Sequence, residues 1–382
     1  MSTEHLMDAL AGIPLVDHHV HGALRHPAEG RDLEFMLSES NLPIPDWMTA
    51  MDSQIGFAIR RWCAPILGLP PRSPAADYHT RRVELGEQEV TRRFLTAGGV
   101  GRYLLDTGHG ADQVLDVDEM ATLSGVPVHE VVRIESTFEE CVRSSGSAYE
   151  LIRDFPERLA IRSRDAVGLK SIIAYRYGFD FEPERPSEQD VLRAASRWLT
   201  EVDTFGEIRV TDPVLLRFIV WTAVDTGLPL QFHSGYGDPD LDLHRCNPLL
   251  LTRFIKAVVP TGSRILLLHC YPYQREAGYL AQVFPNVFFD VGLAVNYTGA
   301  RSISIVAESL ELAPFAKILF SSDAWGPAEL HYLGAHLWRR AMASVLSGWV
   351  EADEWSLEDA VRVADMTGRT NAERVYGLGT RL

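Results

Sequence analysis

At 382 residues, with 46% hydrophobic and 9% aromatic side chains, the chain can bury one large core or two modest ones. Acidic residues outnumber basic ones by 52 to 36, a net charge of −16, which disfavours nucleic acid and anionic membrane because both are bound through basic patches. The four cysteines, Cys63, Cys141, Cys246 and Cys270, share no C-x-x-C spacing, as expected of free thiols in a reducing compartment. The amino terminus lacks the basic start and apolar stretch of a signal peptide and no segment is apolar enough to span a bilayer, so a cytoplasmic protein without a membrane partner is expected.

In chain order, the first strong pattern is the apolar run over 13–22, which contains Asp17-His18-His19-Val20-His21 and closes on Gly22. Strand alternation places Asp17, His19 and His21 on one face and Val16, His18 and Val20 on the other. Two imidazoles two residues apart at a strand end can grip one metal ion. Over 31–96 the sequence reads as helical pieces broken by Pro43, Pro45, Pro65, Pro70, Pro71 and Pro74, an excursion expected to form a lid or an oligomer contact. Strands are predicted over 101–106 and 126–134, followed by a helix over 138–155.

Four apolar runs then end in polar residues: 167–170 on Lys170, continuing into 171–174; 228–233 on His233; 265–269 on His269; and 318–323 on Asp323. A second insertion over 179–212, with a helix near 189–200, follows the fourth strand, and a seventh strand is predicted over 287–292. Near-continuous apolar runs are what a parallel sheet buried on both faces requires, and the C-terminal ends of such strands are where barrel enzymes keep their chemistry. Singly, each polar end reads as a hydrogen-bonded core His, a buried Lys–Asp pair or a capping Asp. Jointly, His19, His21, Lys170, His233, His269 and Asp323 point to a metal site in an α/β (β/α)8 TIM barrel. One domain over 1–382 is expected, with helical insertions after strands 1 and 4, the first at about 31–96.

The pattern resembles the metal-dependent amidohydrolase superfamily, with a strand-1 His-x-His, a strand-4 Lys, strand-5 and strand-6 His and a strand-8 Asp. The phrases Gly168-Leu169-Lys170-Ser171-Ile172-Ile173-Ala174-Tyr175-Arg176, Gln231-Phe232-His233-Ser234-Gly235-Tyr236-Gly237-Asp238, His269-Cys270-Tyr271-Pro272 and Phe320-Ser321-Ser322-Asp323-Ala324 are similar to the amidohydrolase branch fused to glutamine-synthetase-like domains in FluG-type proteins. The closing phrase Asn371-Ala372-Glu373-Arg374-Val375-Tyr376-Gly377 looks like the terminal helix of amidohydrolases, ending on a glycine suited to a left-handed cap. The resemblance implies one or two divalent ions, zinc first with manganese or iron as alternatives. It makes Asp323 a ligand and general acid/base, His233 a direct ligand, and His269 a second-metal ligand or an electrophile on the substrate carbonyl.

Lys170 decides between one ion and two. An ammonium beside a dication would be repelled, so it is carboxylated into a bridging carbamate, paired with Asp323 in a mononuclear site, or a Schiff-base lysine. The last leaves four histidines unexplained. For a substrate carboxylate, Arg176 sits after strand 4 at the parity of Lys170 and Arg275 after strand 6, whereas Arg339 reads as a surface salt bridge; a planar guanidinium suits carboxylates. Tyr236 lies on the strand-5 loop as a further substrate contact, and Asp238, Asp240, Asp242 and His244 beside it read as a turn held by Asx hydrogen bonds. Cys270 is expected to pack outward as a small hydrophobe.

Three functions follow. The first is metal-dependent hydrolysis of a C–N bond in a small acidic amide, which the FluG-type resemblance narrows to a γ-glutamyl amide or isopeptide, in a protein expected to form a homo-oligomer. The second keeps the metal in a decarboxylase, hydratase or isomerase of the same superfamily. The third is a barrel without catalysis that serves binding or assembly.

Overall fold

The computed structural model describes residues 3–379, and side chains from residue 6 onward. Seven strands form one parallel sheet in sequential order: β1 (Leu15–Val20), β2 (Val100–Asp106), β3 (Val128–Arg133), β4 (Gly168–Ser171), β5 (Leu230–His233), β6 (Ile265–Leu268) and β7 (Val287–Phe289). The predicted eighth strand takes its place without forming a regular ladder. Leu319 N donates to Phe289 O at 3.0 Å, while His18 N donates to Phe320 O at 3.2 Å and Asp323 N to His19 O at 3.1 Å. Residues 318–323 thus lie between β7 and β1, and the fold is that of a TIM barrel.

Two apolar clusters follow the strand alternation. Tyr103, Leu105, Val132, Leu169, Phe232, Leu267 and Phe289 pack outward with the helices, whereas Leu104, Val131, Leu266, Leu268, Phe288 and Leu319 point the other way, onto Ala372, Val375 and Tyr376. The helix Asn371–Tyr376 therefore plugs the barrel interior, and Gly377 ends it with φ 67°, the left-handed cap the sequence suggested.

Alternation fails in β1. Val16 belongs to the inner cluster and Val20 to the outer one, although they were expected on the same face. The β1–β2 register shifts between Asp17 and Val20, which turns His19 inward just after His18. The predicted strand continuation after Lys170 is also corrected. Ser171 Oγ accepts from Ile173 N and Glu135 Oε1 from Ile172 N, which bends the chain into the short helix Ile173–Arg176. The helix expected over 138–155 is two, Ile134–Val142 and Ala148–Arg162, the second begun by a Ser147 cap on Glu150 N.

Between β1 and β2 the chain is helical, as expected of 31–96, and its last helix, Glu87–Ala97, packs on the long helix Ala328–Glu351. A buried charge cluster fixes this excursion. Arg82 donates to Glu87 at 2.6 and 2.7 Å and to Glu329 at 2.8 Å, and Tyr78 donates to Glu329 at 2.8 Å. Arg339 is no surface residue, contrary to expectation. It is buried and donates to the carbonyls of Ile13 and Gly99 at 2.9 and 2.7 Å, tying Ala328–Glu351 to the entrances of β1 and β2. All four cysteines are free and buried, and Cys270 packs in the outer cluster. Among the described residues, no helix is long and apolar enough to cross a membrane. Arg82→Met should strand two buried carboxylates and cost about 3–5 kcal/mol, read as a fall in the denaturant midpoint; an unchanged midpoint would show that the cluster does not hold the excursion.

Candidate metal centre

At the C-terminal end of the sheet, six predicted residues converge. His19, His21 and Asp323 place one ligand atom each within 4.8 Å of one another. His19 Nε2 lies 3.1 Å and His21 Nε2 3.7 Å from Asp323 Oδ1, and His269 Nδ1 is 3.2 Å from Asp323 Oδ2. Lys170 Nζ is 3.1 Å from His19 Nε2. The His233 and His269 rings stand 4.8 Å apart, and those of His19 and His269 5.1 Å.

The histidine tautomers follow from the partners behind them. His21 Nδ1 faces the Asp106 carbonyl at 3.1 Å, which can only accept, so Nδ1 carries the proton and Nε2 offers a lone pair toward Asp323. His19 Nδ1 donates to Gln231 Oε1 at 2.8 Å, and the amide orientation is fixed because Gln231 Nε2 donates to the His18 carbonyl at 2.9 Å and to Tyr376 Oη at 2.7 Å. Burial holds all four imidazoles well below their usual range and hence neutral, while it drives the Asp323 carboxyl well up. Burial likewise brings Lys170 down to about 8, against the pull of Asp106 and Asp323.

These donors fit a divalent ion. Buried His233 Nε2 and His269 Nε2 have no hydrogen-bond partner, and a buried lone pair left so is costly unless something is bound to it. Neutral imidazoles with a carboxylate are the donor set that zinc, manganese and iron accept. His269 and Asp323 also adopt left-handed backbone, φ 57° and 49°, a strain that aims both side chains into the site.

A cavity of about 570 Å³ opens onto this cluster, lined by His21, Lys170, His233, His269 and Asp323. Arg176 reaches it from a helical turn, its side chain 8% exposed and 3.2 Å from Glu139. Arg275 does not: it is 62% exposed and paired with Glu311 at 2.9 Å, because the helix Gln274–Val283 turns it away. Tyr236 does not line the cavity either and packs edge-on against Tyr297, which does. The Asx turn expected beyond β5 is present, with Asp240 N donating to Asp238 Oδ1 at 2.8 Å.

Sequence reasoning missed four residues. Gln231 stands two before His233 on the same strand face, a signal that was available. Asp290 follows β7 and accepts from His18, His269 N, Gly292 N and Ser321. Arg133 closes β3, lines the cavity and donates to Asp106 at 2.7 Å, leaving a buried Nε without a partner. A Cβ on Gly108 would lie 2.4 Å from the Arg133 side chain, so glycine there lets the guanidinium enter. Glu39 comes from the first insertion.

Replacing Gln231 by Ala should free the His19 ring and weaken metal binding by roughly 10–100-fold, and His19→Ala or His21→Ala should lower bound metal and activity together. Metal titration of the apo-protein followed by elemental analysis reads both, and full occupancy in His19→Ala or His21→Ala would remove that residue from the ligand set.

Comparison with known proteins gives the same assignment. A protein of Lactobacillus casei ATCC 334 assigned as a metal-dependent hydrolase superposes with a TM-score of 0.85 and 28% identity, covering 98% of this chain and 97% of that one. The uronate isomerase of Bacillus halodurans C-125 superposes with a TM-score of 0.66 at 15% identity over 98% and 96% of the two chains, a likeness of fold alone. The fluG protein of Emericella nidulans is 33% identical over 231 residues, 57% of this chain but 26% of the relative, so the chain spans about a quarter of its length. The amidohydrolase family model matches residues 150–378, the stretch that carries Lys170, His233, His269 and Asp323, and the chain belongs to that family.

Proposed function

We propose that the protein is a metal-dependent hydrolase of the C–N bond in a small acidic amide, with a γ-glutamyl amide or isopeptide as the substrate class. The observation that carries the reading is the set of buried, unpartnered imidazole nitrogens around Asp323, opening into a cavity that also contains guanidinium groups. His19, His21, His233 and Asp323 would hold the ion, with His269 as a further ligand or as a donor to the substrate carbonyl. A bound divalent ion, zinc first, supplies the positive charge that makes water acidic and polarises a carbonyl.

The chain's own groups do the rest. Asp323 takes a proton from the attacking water and returns it to the leaving nitrogen, so that no amide anion is expelled. Neutral His269, held by its backbone N–H on Asp290 at 3.0 Å, is placed to orient the scissile carbonyl. Lys170, in contact with His19, is the group whose carboxylation would add oxygen ligands for a second ion; as a free amine, drawn toward protonation by Asp106 and Asp323, it would go with a single ion. Substrate carboxylate is received by Arg176 and by Arg133, whose buried Nε has no partner, and Arg275 is left out.

Asp323→Asn should keep the fold and lose turnover by orders of magnitude, measured as amine release from a γ-glutamyl amide in metal-loaded protein; near wild-type kcat would remove Asp323 from the chemistry. Arg133→Met and Arg176→Met should each raise KM for the acidic amide, a loss of about 2–5 kcal/mol for a buried charge left without its partner. Both should matter little for an uncharged analogue, and Arg275→Met should match wild type on both substrates. Equal losses on the two substrates would make the cavity arginines structural. A wild-type preference for the uncharged analogue would overturn the acidic substrate.

A further inference from the structure

Glu39 is a charged group of the cavity that hydrolysis of an acidic amide leaves unused. It follows the helix Arg31–Phe35 in the first insertion and lines the cavity with Lys170, His233 and Asp323. Tyr297 lines the same cavity and is itself backed by the Tyr236 ring at 5.8 Å. Of the other acids lining the cavity, Glu139 lies 3.2 Å from Arg176, Asp240 lies 3.2 Å from Arg209, Asp323 stands among the histidines, and Asp238 accepts from Asp240 N at 2.8 Å. Glu39 has no ion pair with an arginine, lysine or histidine among the described residues. The charges that act on it, Asp323 and Asp238, are both negative. Burial and these neighbours push its carboxyl up to about 7.

A half-buried carboxylate on the cavity wall without an ion-pair partner is placed to accept charge-assisted hydrogen bonds from a bound cation. Arg133 presents the converse, a guanidinium with an unused buried Nε in the same cavity. The cavity therefore offers one carboxylate without an ion-pair partner and one guanidinium, paired with Asp106, that keeps a spare donor; the metal ligands account for neither.

We infer that Glu39 is a specificity residue that receives an ammonium group of the substrate, so that the cavity selects amides carrying both a carboxylate and a free amine. The inference rests on the acidic-amide reading. The ammonium could belong to the acyl half, as an α-amino group, or to the amine that leaves. Either would place N–H donors on the Glu39 carboxylate. The insertion that carries Glu39 would then read the substrate's amine while the barrel strands cut its amide.

The test compares metal-loaded wild type with Glu39→Gln, which keeps the shape and removes the charge. Calorimetry measures binding of L-glutamate and of glutarate, which differ only in the amine. Steady-state assays use γ-glutamyl anilide, glutaryl anilide and the glutaryl amide of a diaminoalkane. Wild type should prefer the amine-bearing ligand, and Glu39→Gln should lower that preference by roughly 10–100-fold, the loss of one hydrogen bond to a charged group. A drop confined to γ-glutamyl anilide places the ammonium on the acyl half, and one confined to the diamine amide places it on the leaving half. An unchanged ratio between amine-bearing and amine-free ligands, in binding and in turnover, overturns the inference. Should wild type hydrolyse none of these amides, the acidic-amide reading fails by itself, and the glutamate-to-glutarate binding ratio still decides the role of Glu39.

Discussion

The interaction on which the site depends is the buried carboxylate of Asp290. It follows the shortest strand, and its two oxygens accept from His18 Nε2 on β1, from the backbone of His269 after β6, from Gly292 N and from Ser321 Oγ in the eighth position. Three strand ends that do not share a regular ladder are therefore fixed to one group. This matters because residues 318–323 lack the full set of sheet hydrogen bonds that hold the other strands. With four donors, the carboxyl stays below its usual range despite full burial, and a buried charge so satisfied is rigid where an unsatisfied one would be a liability. Asp17 binds the same segment one strand over, accepting from Ser322 N at 2.9 Å, with Ser322 Oγ 2.5 Å from its other oxygen, although here burial outweighs the hydrogen bonds and pushes the carboxyl up to about 8. Together the two carboxyl groups fix the segment that ends in Asp323.

Much of this was legible in the sequence because a buried parallel strand leaves a strong mark. The apolar runs ending on Lys170, His233, His269 and Asp323 located the mouth of the barrel without any knowledge of contacts. Period-two alternation was less secure, since it assumes a regular ladder, and β1 is irregular where the metal ligands lie. His19 was put on the right surface for an incomplete reason. Helical phase misled in the same way: Arg275 and Arg176 both follow strands at short distance, yet one turn of helix sends the first to solvent and the second into the cavity. Arg133 could not be singled out because its role requires Gly108 from a neighbouring loop, a contact that no local pattern encodes.

The first insertion is more than an appendage. Its helix Arg31–Phe35 and the turn after it carry the mouth-lining Phe35, Met36 and Glu39, and Arg82 anchors it on Glu329 at the start of the long helix after the eighth position. That helix also holds Arg339, which binds the carbonyls at the entrances of β1 and β2. One helix thus spans both ends of the barrel, fixing the first insertion to the scaffold at one point and the first two strands at another. His331, on the same helix, meets the His21 carbonyl at 2.9 Å, so the geometry of β1 is tied to the element that supports the first insertion.

Charge distribution gives the last step. In a chain of net charge −16, the arginines that enter the cavity are exceptions, and each is held by a carboxylate: Arg133 by Asp106, Arg176 by Glu139, Arg209 by Asp240. Such pairing keeps a guanidinium oriented in a partly buried site while it retains unused donors. Asp106 has a second duty, because its backbone carbonyl sets the tautomer of His21. Asp106 therefore orients both His21 and Arg133, with β2 as the common support. A shift of β2 would disturb both at once, so in the proposed reading one strand sets the spacing between the metal site and the guanidinium that would receive the substrate's carboxylate.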